Sequence, residues 1–120
     1  MNSEHKTKTA YETVCDWLEA FNNAQWGKFK SMLHPEILFT QRATGDVNRN
    51  NNHVCSSFHH WHAEHIHLLG SVMDGFGNKN RAVLEVLWKG TKVDGETVDF
   101  YACLLFKVQN GKIIEIVDYY

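Results

Sequence analysis

From Ile66 onward the chain has no room for another long helix. Its apolar residues fall in four extended segments, 66–74, 81–90, 96–108 and 112–120, separated by the turn-forming stretches GFGNKN, VDGE and QNG. Segments rich in Val, Ile, Leu and Phe and bounded by Gly, Asn and Asp read as strands joined by tight turns. The second half of the chain is therefore a run of antiparallel strands, and every helix has to come before it.

The first half supplies those helices. Tyr11, Val14, Cys15, Leu18 and Phe21 recur at helical spacing with Trp17 flanking the stripe, so 9–23 reads as an amphipathic helix closed by Asn22-Asn23. Trp26, Phe29, Lys30, Met32 and Leu33 give a second, short helix. It must end before Pro35, whose ring disfavours helical geometry in the residue ahead of it. The stretch EILFTQRA alternates Ile37, Phe39 and Gln41 against Leu38, Thr40 and Arg42, a strand with two differently used faces. TGDVNRNNN reads as a loop ending in an N-cap at Asn51 or Asn52. The third helix that follows puts Val54, Phe58 and Trp61 on one face and His60 and Glu64 on the opposite one. This order predicts one α+β domain over 1–120, a curved antiparallel sheet wrapped around three N-terminal helices with a conical space between them.

Charge removes several function classes. Lys and Arg number 12 against 14 Asp and Glu, and no basic run occurs, so the footprint of a nucleic-acid binder is missing. The start MNSEHKTKTAYE is polar and the apolar runs are short, which predicts neither a secretion signal nor a membrane span and points to a cytoplasmic protein. Cys15, Cys55 and Cys103 are odd in number and lack CxxC spacing, which argues against disulfides or a Cys-based zinc site, and Cys15 and Cys103 in their apolar segments are expected to be buried inert thiols.

The stretch FHHWHAEHIH, residues 58–67, holds five of the eight histidines and raises the question of a metal. His62 and His65 have helical spacing, whereas His65 and His67 would share a face only in a strand; both cannot hold if the helix ends near Ala63. With no HExxH and no nearby Cys, neither a metal nor any other cofactor is expected.

AYETVCDWLEAFNNAQWGKFKSMLHPEILF at the start and LLFKVQNGKIIEIVDYY at the end carry a resemblance to the nuclear transport factor 2-like superfamily, in its SnoaL-like and ketosteroid isomerase-like branch. The resemblance implies a cystatin-like cone of this superfamily, a small apolar ligand in its interior and a homodimer through the outer face of the sheet. The isomerases of that branch use a helix-one tyrosine and a protonated late-strand acid as oxyanion donors, with a first-strand aspartate moving the proton. Matching the motifs puts Trp17 in place of the tyrosine, Gln41 in place of the base and Leu104 in place of the second acid. None of the three can do the isomerase's work, because indole and amide groups do not shuttle protons near neutral pH and leucine donates no hydrogen bond.

The same matching turns Ile37, Phe39 and Gln41, then Phe100, Ala102 and Leu104, and finally Ile114, Ile116, Asp118 and Tyr120 toward the cone's interior. A two-residue turn at Asp94-Gly95 would set Lys89 opposite Phe100, Leu87 opposite Ala102 and Glu85 opposite Leu104, on the same face. Asp118 is then the leading acid–base candidate, since partial burial would raise its pKa toward neutrality; the alternative is a strand-end aspartate in water or in a structural hydrogen bond. His59 matches a position that backs up the helix-one tyrosine in the isomerases, so it is the second catalytic candidate, set against a hydrogen-bonded residue at the core edge. Gln41 and Lys89 could orient a carbonyl or carboxylate ligand, and Glu85 is either paired inside or solvated outside. Trp17, Phe39, Phe58, Trp61, Phe100 and Phe106 are either core or cavity wall, and Tyr120 is a further candidate for the wall. The functional expectation is an acid–base isomerase, dehydratase, cyclase or hydrolase on a small apolar carbonyl compound. The alternative is a binding or assembly module that kept the fold without the acids.

Overall fold

The computed structural model describes residues 8–120. Thr9 opens the first helix by accepting a hydrogen bond from the Glu12 N–H, while the Glu12 carboxylate accepts from the Thr9 N–H. This reciprocal cap satisfies two donors that a helix start otherwise leaves free. Helix α1 then runs Ala10–Asn22, and α2 covers Trp26–Ser31, ending well short of Pro35. Helix α3, Asn51–Ala63, is capped by Asn50, whose side-chain oxygen accepts from the His53 N–H at 2.9 Å, one residue before the positions the pattern suggests.

Strands β1 (Leu33–Gln41), β2 (Val47–Arg49), β3 (His65–Gly77), β4 (Arg81–Lys92), β5 (Thr97–Gln109) and β6 (Lys112–Tyr119) form one sheet in the order β2-β1-β6-β5-β4-β3. Every pairing is antiparallel except β1 with β6, which is parallel. Two segments depart from the sequence pattern. β1 begins ahead of Pro35, which it accommodates where the register shifts between Leu33 and Leu38. Residues 47–49, read from sequence as loop, pair with β1 as a short edge strand.

The β4–β5 turn decides which side chains enter the cone. The Lys92 N–H donates to the Glu96 carbonyl and the Gly95 N–H to the Lys92 carbonyl, with Gly95 at φ 95°. Three residues thus close the hairpin instead of two, and a left-handed glycine ends the turn. The odd residue slides the pairing by one position: Trp88 lies opposite Phe100, Val86 opposite Ala102 and Leu84 opposite Leu104. A one-residue slip exchanges the two faces of a strand. Glu85 and Lys89 therefore stand exposed on the outside, and Trp88 takes the inner place. A second irregularity, between Lys107 and Val108, leaves Ile114 as an extra residue of β6, so Ile113 and not Ile114 is fully buried.

The closed end of the cone is packed with rings. Trp17 stacks on Phe29 at 5.0 Å and meets Phe58 and Phe106 edge-on at 5.3 and 5.5 Å. Trp17, Phe21, Phe29 and Phe106 are all essentially without solvent contact. Cys55 is buried and Cys15 and Cys103 are half-buried; burial raises all three thiol pKa values and keeps these groups protonated. No helix among the described residues is long and apolar enough to cross a membrane.

Candidate functional site

Toward the open end, the inner face of the sheet carries a row made of Gln41 on β1, Asp118 on β6 and Leu104 on β5, each the direct cross-strand neighbour of the next. Further out, Phe100 faces Trp88 across β5 and β4. Helix α3 closes the other side with Ser57, Phe58, His60, Trp61 and Glu64, which recur about one turn apart along its length. Between helix and sheet lies a cavity of about 400 Å³, completed by Phe39, Asn48 and Tyr120.

Most of the wall is aromatic. Trp61 meets Trp88 at 4.9 Å with the rings inclined by 75°, and lies 6.4 Å from Phe100. Phe100 in turn lies 5.9 Å from Tyr120, and Phe39 and Phe58 approach to 5.1 Å on the deeper side.

Asp118 is the carboxyl on the sheet side of this wall. Its Oδ1 is buried and has no hydrogen-bond partner among the described residues. Burial pushes its pKa up from 3.8 to about 6, because an apolar surrounding penalises the charged form and no donor offsets the loss of water. At neutral pH about a tenth of the molecules would then hold the proton, so both forms are within easy reach. At the mouth, His60 Nε2 lies 3.7 Å from Glu64 Oε2, but the two side chains are 78% and 53% exposed, so this pair is weak and solvated.

The structure brings together Asp118, Gln41 and Leu104 from the sheet row, Phe58 and Trp61 from α3, and the rings of Phe39, Phe100 and Tyr120. Five sequence candidates lie elsewhere. Glu85 and Lys89 point outward for the reason of register given above. Trp17 and Phe106 are buried among the closed-end rings, and the Trp17 indole N–H has no acceptor among the described residues. His59 is exposed and stacks on Trp26 at 4.6 Å with an interplanar angle of 18°, on the side of α3 that faces α2. The next residue, His60, is the imidazole at the cavity, since one helical step rotates a side chain by about 100°.

Trp88, His60, Glu64, Ser57 and Asn48 belong to the cavity and were not among the candidates. The signal for Trp88 was the VDGE turn: a three-residue loop ending in a left-handed Gly is the other common solution for such a hairpin. The remaining histidines disperse. His62 packs edge-on against Phe21 and Trp26, and burial, then the charges of His59 and His65, lower its pKa. His65 is buried, with its Nδ1 donating to the Trp61 carbonyl at 2.6 Å. Among the described residues no three His, Cys, Asp or Glu side chains come close enough to share an ion.

The sequence profile of the SnoaL-like domain matches residues 14–116. The chain belongs to the SnoaL-like domain family. Solved structures with the same fold include a protein of ketosteroid isomerase-like fold from Catenulispora acidiphila in complex with trimethylamine. It has a TM-score of 0.81 and 13% identity over 94% of this chain and 87% of that one. An NTF2-like protein of unknown function from Burkholderia pseudomallei has a TM-score of 0.78 and 16% identity over 91% and 88%. A proposed polyketide cyclase from Pseudomonas putida has a TM-score of 0.79 and 19% identity over 95% and 92%. At these identities the likeness extends to the fold alone. No curated protein sequence matches the chain.

Proposed function

We propose that this SnoaL-like protein binds a compact, largely apolar carbonyl compound in the cone and moves a proton on it with Asp118. The reaction would be an isomerisation, dehydration, cyclisation or hydrolysis. The observation that carries this reading is a carboxyl with one orphaned oxygen and a pKa near 6 in the wall of a ring-lined cavity. Asp118 in its ionised form would take the proton from the carbon next to the carbonyl. The electron pair would move onto the carbonyl oxygen, where an N–H of Gln41 would donate a hydrogen bond, and the proton would return from Asp118 to a different atom. Gln41 is a neutral donor, weaker than the acids that serve the isomerases, so a modest rate is expected.

Deuterium exchange tests the proposal without knowledge of the natural substrate. Compact ketones incubated with the protein in heavy water should gain deuterium at the carbon next to the carbonyl, followed by NMR. Asp118→Asn should slow the gain by about 10²-fold or more. A rate equal to the protein-free control across such a panel would rule out proton transfer on this class.

A second reading, a binding module without catalysis, is favoured by Trp17, Gln41 and Leu104 at the positions matched to the isomerase groups. It predicts thermal stabilisation by small ligands with no exchange in the same samples. The trimethylamine complex of the Catenulispora protein supports a compact ligand under either reading.

We also infer a homodimer through the outer face of the sheet. Leu69, Phe76, Tyr101, Leu105 and Tyr119 are exposed there, a broad apolar surface for a chain of this size. Sedimentation should give twice the chain mass, and Tyr101→Lys with Leu105→Lys should give monomers. A monomeric wild type would overturn the inference.

A further inference from the structure

The cavity carries information about charge as well as shape. Among the described residues that line it are two carboxylates, Asp118 and Glu64, and no Lys or Arg; His60 is the single nitrogen base. The exclusion of cations is a product of the β4 register, which turns Lys89 outward. An anionic ligand would meet two acids and no guanidinium or ammonium. A plain ketone brings the Asp118 carboxylate no donor, because a carbonyl oxygen only accepts hydrogen bonds and so does an ionised carboxylate.

The rings are arranged for a different class. A flat stack of aromatics offers one outer face, whereas rings inclined to one another offer several faces to a shared volume. Trp61 and Trp88 are inclined by 75°, Trp61 and Phe100 by 52°, and Phe100 and Tyr120 by 53°. The face of an aromatic ring is its negative side, and an alkylated ammonium is drawn to it within about 6 Å, most strongly where water is excluded.

We propose that the cone of this protein receives an alkylated ammonium group, with the inclined rings around its methyl groups and Asp118 as the partner of its charge. A tertiary ammonium suits the site best, because its single N–H can donate to the part of the Asp118 carboxylate that lines the cavity. The cavity volume of about 400 Å³ exceeds what such a head group fills and leaves room for a further substituent. This inference rests on the reading of the cone as a ligand site and deepens it. A positive charge beside Asp118 favours the carboxylate, which is the form able to take a proton from the ligand.

The test compares two probes of one shape. Dimethylaminoethanol is protonated at neutral pH, and isoamyl alcohol is its uncharged isostere with carbon in place of nitrogen. Calorimetric or NMR titration at neutral pH should show the amine binding about tenfold or more tighter than the alcohol. Asp118→Asn, with its fold checked by circular dichroism, should remove most of that preference and leave the alcohol's affinity within about threefold. Glu64→Gln should reduce the preference less, since Glu64 is largely exposed at the mouth. Equal or tighter binding of the alcohol overturns the cation inference and leaves the ligand site standing. A preference for the amine that survives Asp118→Asn overturns the role given to Asp118. Failure of both probes to bind at any soluble concentration overturns the inference together with the reading of the cone as a site for compact ligands.

Discussion

The two ends of the cone are made from the same strands and behave in opposite ways. Near the closed end, Phe39, Ile116, Phe106 and Ala82 form one row across β1, β6, β5 and β4. Helices α1 and α2 press Trp17 and Phe29 into the space above Phe106 and leave it filled. Two residues further along each strand, the row reads Gln41, Asp118, Leu104 and Leu84, and its first three members open on the cavity under α3. Strand alternation decides which side chains enter the cone. What the helices supply opposite them decides whether a side chain meets a packed neighbour or a space for a ligand.

Truncation should separate the ends most sharply. Phe106→Ala removes a ring that is 2% exposed and should cost about 3–5 kcal/mol in denaturant unfolding. Phe100→Ala, at the half-buried open end, should cost less than about 2 kcal/mol while weakening ligand binding. Comparable stability losses for the two would break the distinction between a filled and a hollow end.

The next effect sits where the ends meet. A Cβ on Gly70 would lie 2.6 Å from the Trp88 ring and 3.0 Å from Leu18, and the same glycine exchanges two 2.9 Å hydrogen bonds with the Asn22 side chain. Gly70→Ala should destabilise by about 1–3 kcal/mol and push Trp88 into the cavity, reducing affinity for ligands there. Unchanged stability and unchanged binding would mean that Trp88 is free to move and does not form a fixed wall.

A smaller effect of opposite sign belongs to Asp118. Its folded-state pKa is raised, to about 6 from 3.8, so its favourable contribution is complete below about pH 4 and is lost as pH rises through 6. Above that range the charged, unpartnered group weighs against the fold. Asp118→Asn should therefore stabilise the protein by about 1–2 kcal/mol at pH 8, with partial exposure limiting the gain, and by little below pH 4. Destabilisation at pH 8 would mean that the carboxylate has a partner in the folded state.

The sequence made the architecture and half of this comparison legible. Period-two alternation around Phe39 and Gln41, combined with the resemblance, identified the β1 side chains that face the interior, and it put Asp118 on the same face of β6. Alternation cannot tell the inner from the outer face of a strand unless the turn length is known. At VDGE two hairpin lengths were open, and the shorter one put Glu85 and Lys89 on the inner face, where the longer one puts Leu84 and Trp88. On α3 the difference between His59 and His60 is one helical step. It was settled by packing of α3 on α2, where Trp26 takes His59, and no local pattern contains that contact. β2 has three residues, too few for alternation to register.

Asp118 stands in the cavity wall as a partly buried carboxyl, its Oδ1 without a hydrogen-bond partner among the described residues. Titration of its side-chain carboxyl carbon by NMR, in the protein without ligand, measures this most directly. A midpoint near pH 6 is the predicted result. A midpoint at about 4 or below, in the ordinary range of a solvated aspartate, would contradict it.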